Sequence, residues 1–124
     1  MKKLFLLGLM TMLTCSAWAE WVRAAESNKT TLYFDPATIS KDGNIRTVLI
    51  LRDLKQREPS GSISHIEQLE YDCKNERGSV MSKRSYSMPM AGGELLKEYQ
   101  FSGSDWFEIP PRAVGYDVLK IVCR

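Results

Sequence analysis

The sequence predicts an α+β fold, an antiparallel sheet of about six strands in hairpin order with one C-terminal helix packed on one face. Two observations predict it. Short segments rich in β-branched and aromatic residues alternate with turn residues over most of the chain, which is typical of strands joined by hairpins. Only the last segment has apolar residues at helical spacing, at i, i+4, i+7 and i+8, and these are Val114, Val118, Ile121 and Val122.

The first 19 residues predict a secretory signal peptide that is cleaved after Ala19. Lys2 and Lys3 form a basic start, and residues 4–13 form a short apolar run before the small residues that precede the cut. This run is shorter than the roughly 20 residues that a membrane-spanning helix needs, which disfavours an N-terminal anchor and predicts no membrane span in the mature chain.

A lipoprotein signal is a further alternative, because Cys15 would be the lipidated residue. Thr14 precedes it, where a smaller residue is usual. We therefore expect an exported protein, in the periplasm or at the outer membrane and cell surface, with a single domain over residues 20–124.

The charge balance of the mature domain disfavours nucleic acid as a partner. Of the 17 Lys and Arg residues, Lys2 and Lys3 lie in the signal, so the rest equal the 15 Asp and Glu residues. Nucleic-acid binding normally needs a basic face. Removal of the signal also removes Cys15, and the remaining pair, Cys73 and Cys123, predicts a disulfide in an oxidising compartment.

Turn residues divide the mature chain into six predicted strands. The strands are expected at residues 20–26, 30–34, 45–54, 63–73, 79–88 and 94–101, and the leucines and acids of the last segment would also suit a short helix. Val48 to Leu51 is apolar at every position, which indicates a central strand that is buried on both faces or packed under the terminal helix. A buried helix is the alternative, but the β-branched residues and the flanking turns favour the strand. Residues 55–62 are polar with Pro59 and Gly61, so we expect a loop. Pro111 is expected in the first turn of the terminal helix, where its missing N–H costs nothing.

No constellation predicts catalysis, a cofactor or a metal site. His65 is the only histidine and no nucleophile elbow is present, so we expect a surface histidine on a strand. Glu70 and Asp72 share a strand face, which a solvated strand explains. Met88 and Met90, together with Met81, offer thioethers to Cu(I). Filling of an irregular core edge is the simpler interpretation of these methionines.

A recognition surface is the remaining hypothesis. Arg84, Tyr86, Tyr99 and Phe101 lie on the later strands, and arginine and aromatic residues are enriched in protein interfaces. The same residue types also serve as core or cross-strand pairs. The polar loop at 55–62 is a second candidate for the binding element.

The order of several segments resembles the surface-adhesin protein E domain family, small exported proteins of Gram-negative bacteria. The resemblance covers nearly the whole mature chain and rests on residues 21–22, 33–39, 41–43, 70–73, 85–88, 92–93 and 106–111 and on Cys123. The D-P-A-T-I, E-Y-D-C and W-x-x-I-P-P segments are specific in combination.

The resemblance implies a six-stranded antiparallel sheet, a docked helix and a disulfide that ties strand to helix. It also implies a non-enzymatic adhesin that dimerises and binds host matrix proteins such as vitronectin and laminin. A periplasmic structural or envelope-interaction protein, as a homodimer or a subunit of a larger assembly, is the alternative. A small-ligand or metal carrier is the third.

Overall fold

The computed structural model of the protein describes residues 20–103 and 105–124. The predicted signal peptide and Cys15 lie outside the described residues. The described part contains strands β1 (Val22–Glu26), β2 (Thr30–Phe34), β3 (Ser40–Asp42), β4 (Ile45–Leu54), β5 (Ser64–Asp72), β6 (Arg77–Met88), β7 (Gly92–Gln100) and β8 (Phe107–Glu108), and helix α1 (Val114–Val122).

The strands form one antiparallel sheet in the order β1-β2-β4-β5-β6-β7. This confirms the predicted fold class, because every neighbouring pair on this path follows the hairpin order of the long strands. The short strands β3 and β8 were not predicted. β3 pairs with β4 beyond the end of β2, and β8 pairs with β6 beyond the end of β7. Two or three residues carry too little alternation to predict a strand.

Side chains bridge the gap between β2 and β3. After β2 the chain forms a 3₁₀ turn at Pro36–Thr38. The Asp35 carboxylate caps this turn by accepting a hydrogen bond of 3.0 Å from the Ala37 N–H. The Thr38 hydroxyl oxygen then accepts a hydrogen bond of 3.0 Å from the Leu49 N–H. The Leu49 amide of β4 is therefore satisfied where no strand backbone faces it.

The hydrophobic core lies between α1 and the β1–β5 half of one sheet face. The helix contributes Val118, Leu119 and Val122, all at most 3% exposed. The sheet contributes Leu32, Phe34, Val48, Ile50, Leu69 and Tyr71, and Ile109 packs against them. Leu119 was not part of the predicted stripe, whereas Val114 and Ile121 are only half-buried. The helix therefore lies rotated from the predicted orientation toward Leu119.

The two ends of α1 bear on the predicted position of Pro111 and on the predicted disulfide. Pro111 lies in a turn before the helix, so its placement in the first helical turn is wrong. The Ile109 N–H donates to the Glu76 carbonyl at 3.1 Å, and Ala113 is still extended, so the chain turns only after leaving the sheet. Cys123 follows α1 directly and forms the predicted disulfide with Cys73, with 5.6 Å between the Cα atoms.

The opposite face of the sheet is covered at one end by the connection between β6 and β7. This 3₁₀ turn at Pro89–Ala91 is held by the Met90 N–H, which donates to the Asp53 carboxylate at 3.0 Å, and by the Ala91 N–H, which donates to the Ser64 hydroxyl at 2.9 Å. Leu51 on β4 has no exposed surface. Val48 and Ile50 are buried on the helix face and Leu51 on the other, so the centre of β4 is buried on both faces at these positions, whereas Leu49 is only half-buried.

Candidate functional site

Strand β7 forms one edge of the sheet, with β1 at the other, and it is more exposed than every other long strand. Eight of its nine residues are exposed, and only Gly92 at its start is half-buried. Within the described residues, seven of the eight large apolar side chains that are exposed lie in one stretch of the chain around β7: Met88, Met90, Leu95, Leu96, Tyr99, Phe101 and Phe107. An exposed edge strand presents unpaired backbone N–H and C=O groups, which are a template for pairing with another chain.

The predicted recognition residues divide between the two faces of the sheet. Arg84 pairs in register with Glu98, and the neighbouring Lys83 pairs with Tyr99. Because successive residues of a strand point to opposite faces, Tyr99 lies on the helix side and Arg84 on the other side. Tyr86, two residues from Arg84, shares its face.

On the helix side, two aromatic rings of the set form one surface. The Tyr99 and Phe101 rings stack with centroids 6.1 Å apart and an interplanar angle of 23°. The Lys97 ammonium lies 5.4 Å from the centroid of the Tyr99 ring. The hydrogen bond to Tyr99 raises the pKa of Lys97. On the other face, the Arg84 Nε donates to the Glu98 carboxylate at 3.2 Å.

His65 is not a surface residue, so this expectation is wrong. The side chain is 2% exposed and uses both ring nitrogens. Nδ1 lies 2.8 Å from the Ser85 hydroxyl, and Nε2 lies 2.9 Å from the Glu58 carboxylate. The physical reason is the pairing of β5 with β6, which sets His65 opposite Ser85, together with the 55–62 loop, which brings Glu58 over the ring.

The Glu58–His65–Ser85 chain ties the 55–62 loop to the sheet. The hydrogen bond from His65 lowers the pKa of Glu58, against the smaller opposing effect of burial. The order of partners is that of an acid, a base and a hydroxyl, but Ser85 lies in the middle of a strand and is 4% exposed. Sequence reasoning missed this cluster because its three members are far apart along the chain.

A groove lies on the helix side, beyond the part of the sheet that α1 covers. It has a volume of about 330 Å³ and is lined by Glu58, Ser60, Ser62, His65, Lys83, Ser85, Leu96, Lys97 and Tyr99. A second depression of about 330 Å³ adjoins it and is lined by Glu67, Val80, Lys83, Phe101, Gly103, Asp105 and Phe107. Lys83 lines both, so this side chain stands at the border between them. We call the first of them the polar groove.

A smaller, mostly apolar cavity of about 130 Å³ lies under the start of α1, among core residues of the sheet and the segment at 107–115. Tyr71 lines it, and burial raises the pKa of this phenol above its ordinary range. Arg52 also lines it, and its Nε donates to the Glu67 carboxylate at 2.9 Å.

The methionines do not form one cluster. Met88 and Met90 are exposed at the turn between β6 and β7. Met81 is half-buried seven residues earlier on β6, a distance of about 23 Å at the usual rise of a strand. Among residues 20–103 and 105–124, no group of three or more His, Cys, Asp or Glu side chains is arranged to hold a metal ion.

Two further properties bear on location and relatedness. In the part of the chain that the structure describes, no helix has the length and apolar character needed to cross a membrane. No curated protein matches this chain significantly.

Solved structures of Haemophilus influenzae protein E share the fold. The structure of its crystal form II matches with a TM-score of 0.60 at 15% identity, covering 86% of this chain and 88% of that one. Another structure of the same protein matches with a TM-score of 0.57 at 15% identity, covering 86% of this chain and 85% of that one. The sequence profile described as Surface-adhesin protein E matches residues 21–124. The chain therefore belongs to the Surface-adhesin protein E family.

Proposed function

We propose that the chain is an exported, non-enzymatic adhesin domain that binds a protein of the extracellular matrix through β7. One observation carries the proposal. β7 is an outer strand whose free edge carries exposed Leu95, Leu96 and Tyr99, with Phe101 directly after it. Membership in a family described as a surface adhesin supports adhesion as the use of this edge.

The backbone of β7 offers hydrogen-bonding groups to a partner strand. The Phe101 N–H donates to the Met81 carbonyl at 2.9 Å, toward β6. Because N–H groups alternate between the two sides of an antiparallel strand, the N–H groups of Glu98 and Gln100 point away from β6. An extended peptide can pair with these groups, and the neighbouring Leu and aromatic side chains would then select its sequence.

The test is a proline placed on the free side of β7. Gln100→Pro removes an outward N–H and leaves the ladder to β6 intact, since edge strands tolerate proline where the N–H faces solvent. Binding is measured to immobilised vitronectin and laminin. We expect at least a tenfold loss for Gln100→Pro and no loss for the control Gln100→Ala. Equal binding by both variants, or no binding by the unmodified protein at micromolar concentration, would contradict the proposal.

The side chains on the other face are tested separately. Arg84→Ala and Tyr86→Ala are expected to reduce binding to the same proteins less than Tyr99→Ala and Phe101→Ala, because they lie on the face away from the exposed aromatic pair. A larger loss from the first pair would move the recognition surface to that face.

A second candidate is self-association through the same edge, within the periplasm or the envelope. The free β7 edge of one copy is complementary to that of another in an antiparallel arrangement. Sedimentation would detect a dimer that Gln100→Pro dissociates. Cross-linking in intact envelopes separates a homodimer from a complex with another envelope protein. Protease accessibility on whole cells separates a periplasmic location from the cell surface.

A further inference from the structure

The polar groove is separate from the backbone edge of β7 and lies on the helix-side face of the sheet. Its floor is the buried pair His65 and Ser85 on β5 and β6. One wall is the 55–62 loop, and the other is formed by side chains of β7. The loop is fixed over the sheet because the Arg57 guanidinium donates to the Gly61 carbonyl at 2.7 Å and to the Ser87 carbonyl at 2.6 Å. The groove is thus part of the folded structure.

The two lysines of the groove make no ion pair, although Lys97 is hydrogen-bonded to Tyr99, whereas the carboxylates beside them are hydrogen-bonded. Lys83 and Lys97 make no ion pair with any described residue. By contrast, the Glu58 carboxylate accepts a hydrogen bond of 2.9 Å from His65. Glu67 on β5, which lies opposite Lys83 of β6, accepts a hydrogen bond of 2.9 Å from Arg52. Lys83 precedes Ser85 by two residues on β6, and Lys97 lies opposite Ser85 on β7. The groove is therefore lined by two lysines on neighbouring strands, and the ammonium of Lys97 lies over the Tyr99 ring.

The remaining lining is a mixture of hydroxyl groups and one flat apolar surface. Ser60 and Ser62 contribute hydroxyls 3.2 Å apart on the loop side. Leu96 and the Tyr99 ring form the opposite side. A ligand that contacts the lysines, the serine hydroxyls and the apolar side together must carry an anionic group, several hydroxyls and a flat C–H face. A sugar ring has such a face, and pockets of about 300 Å³ or more are of the size that holds small ligands.

We propose that the polar groove binds a carboxylate-bearing sugar, with its carboxylate between Lys83 and Lys97 and its ring against Tyr99. The Glu58 carboxylate and the serine hydroxyls then bond to the hydroxyls of the sugar. The second depression lies on the other side of Lys83 and is lined by Phe101, whose ring stacks on that of Tyr99, so an adjoining sugar of a longer chain has a matching surface.

The test is a titration of the exported protein with glucuronic acid and, as the uncharged control, with glucose. Binding is monitored through the amide chemical shifts of the protein. We expect glucuronic acid to shift the signals of Lys83, Lys97 and Tyr99, and glucose to bind at least tenfold more weakly. The double variant Lys83→Gln/Lys97→Gln should lose at least tenfold in affinity, while the control Lys41→Gln on β3, an exposed lysine outside the groove, should lose none.

Three outcomes would overturn the proposal: equal affinity for glucose and glucuronic acid, unchanged binding by the double variant, or equal displacement by inorganic sulfate at matched ionic strength. The last would mean a general anion site with no contribution from the sugar ring. Gln100→Pro separates this site from the proposed protein-binding edge, since it should leave binding of glucuronic acid unchanged. The failure of one proposal therefore leaves the other standing.

Discussion

The two halves of the sheet differ in what covers them. Over β1, β2, β4 and the Leu69–Tyr71 end of β5, the face toward α1 is closed by an apolar core, and the Cys73–Cys123 disulfide fixes the end of the helix above it. Over β6 and β7, no helix of the described residues lies above the same face, which carries lysines, serines and exposed aromatic rings. One continuous sheet thus has a half that is filled by its own helix and a half that is left for other molecules.

This difference separates stability from recognition. Apolar burial in the covered half contributes most of the folding free energy, because such burial scales with the apolar area removed from water. The uncovered half buries little at β7 and so contributes little to folding. Substitutions in the two halves should therefore have opposite consequences, and the following predictions are arranged by the size of the expected effect.

The largest effect is expected from loss of the disulfide. The bond joins positions separated by 50 residues, and chain entropy alone gives about 4 kcal/mol of stabilisation for a loop of this size. Cys73→Ser/Cys123→Ser should lower the free energy of unfolding in denaturant by about this amount. Reduction of the unmodified protein serves as the control and should have the same effect. A loss below about 1 kcal/mol would show that the helix holds its place without the bond.

A matched pair of leucines compares the halves directly. Leu119 on α1 is 3% exposed and Leu95 on β7 is 49% exposed. Leu119→Ala should cost about 2–5 kcal/mol, the usual range for a buried leucine. Leu95→Ala should stay within about 0.5 kcal/mol of the unmodified protein. Thermal or denaturant unfolding measures both, and similar losses would contradict the division of the sheet.

A smaller effect is expected from pH at the turn after β5. Hydrogen bonds from Asn75 and Arg77 lower the pKa of Asp72 to about 2. Because the folded pKa lies below the unfolded one, the carboxylate stabilises the fold fully above about pH 4, and this stabilisation is lost as the pH falls toward about 2.

Asp72→Asn keeps the acceptor for the turn but removes the charge. It should therefore be less stable than the unmodified protein at pH 7, and the two should converge between about pH 4 and pH 2. Unfolding curves recorded across this range check the convergence. A constant difference at every pH would assign the effect of the substitution to geometry alone.

The long elements could be predicted from the sequence because their side chains repeat with a clear period. The central strand around Val48 and the stripe through Val118 and Val122 follow from apolar pattern alone. Pattern does not specify the rotation of a short helix, so Leu119 was missed. The His65 cluster could not be predicted because it depends on strand register and on a loop that returns over the sheet.

The recognition residues show the same limit. Tyr99 and Phe101 are exposed as expected, but Arg84 lies on the opposite face. The bulges in the β5–β6 and β6–β7 pairings shift the register of these strands, and no sequence period records such shifts. Residue type was the basis of the predicted recognition surface, whereas the division of its residues between the two faces could be seen only in the fold.

Amide hydrogen exchange of β7 in dilute protein tests the central claim most directly. If the outer edge of the sheet is free, the amides of Glu98 and Gln100 exchange nearly as fast as in an unstructured peptide, while those of Tyr99 and Phe101, which face β6, are protected. The amides of Val48 and Ile50 in the covered half should exchange only on global unfolding. Strong protection of Glu98 and Gln100 in dilute protein would contradict the account, because the edge assigned to a partner would already be covered.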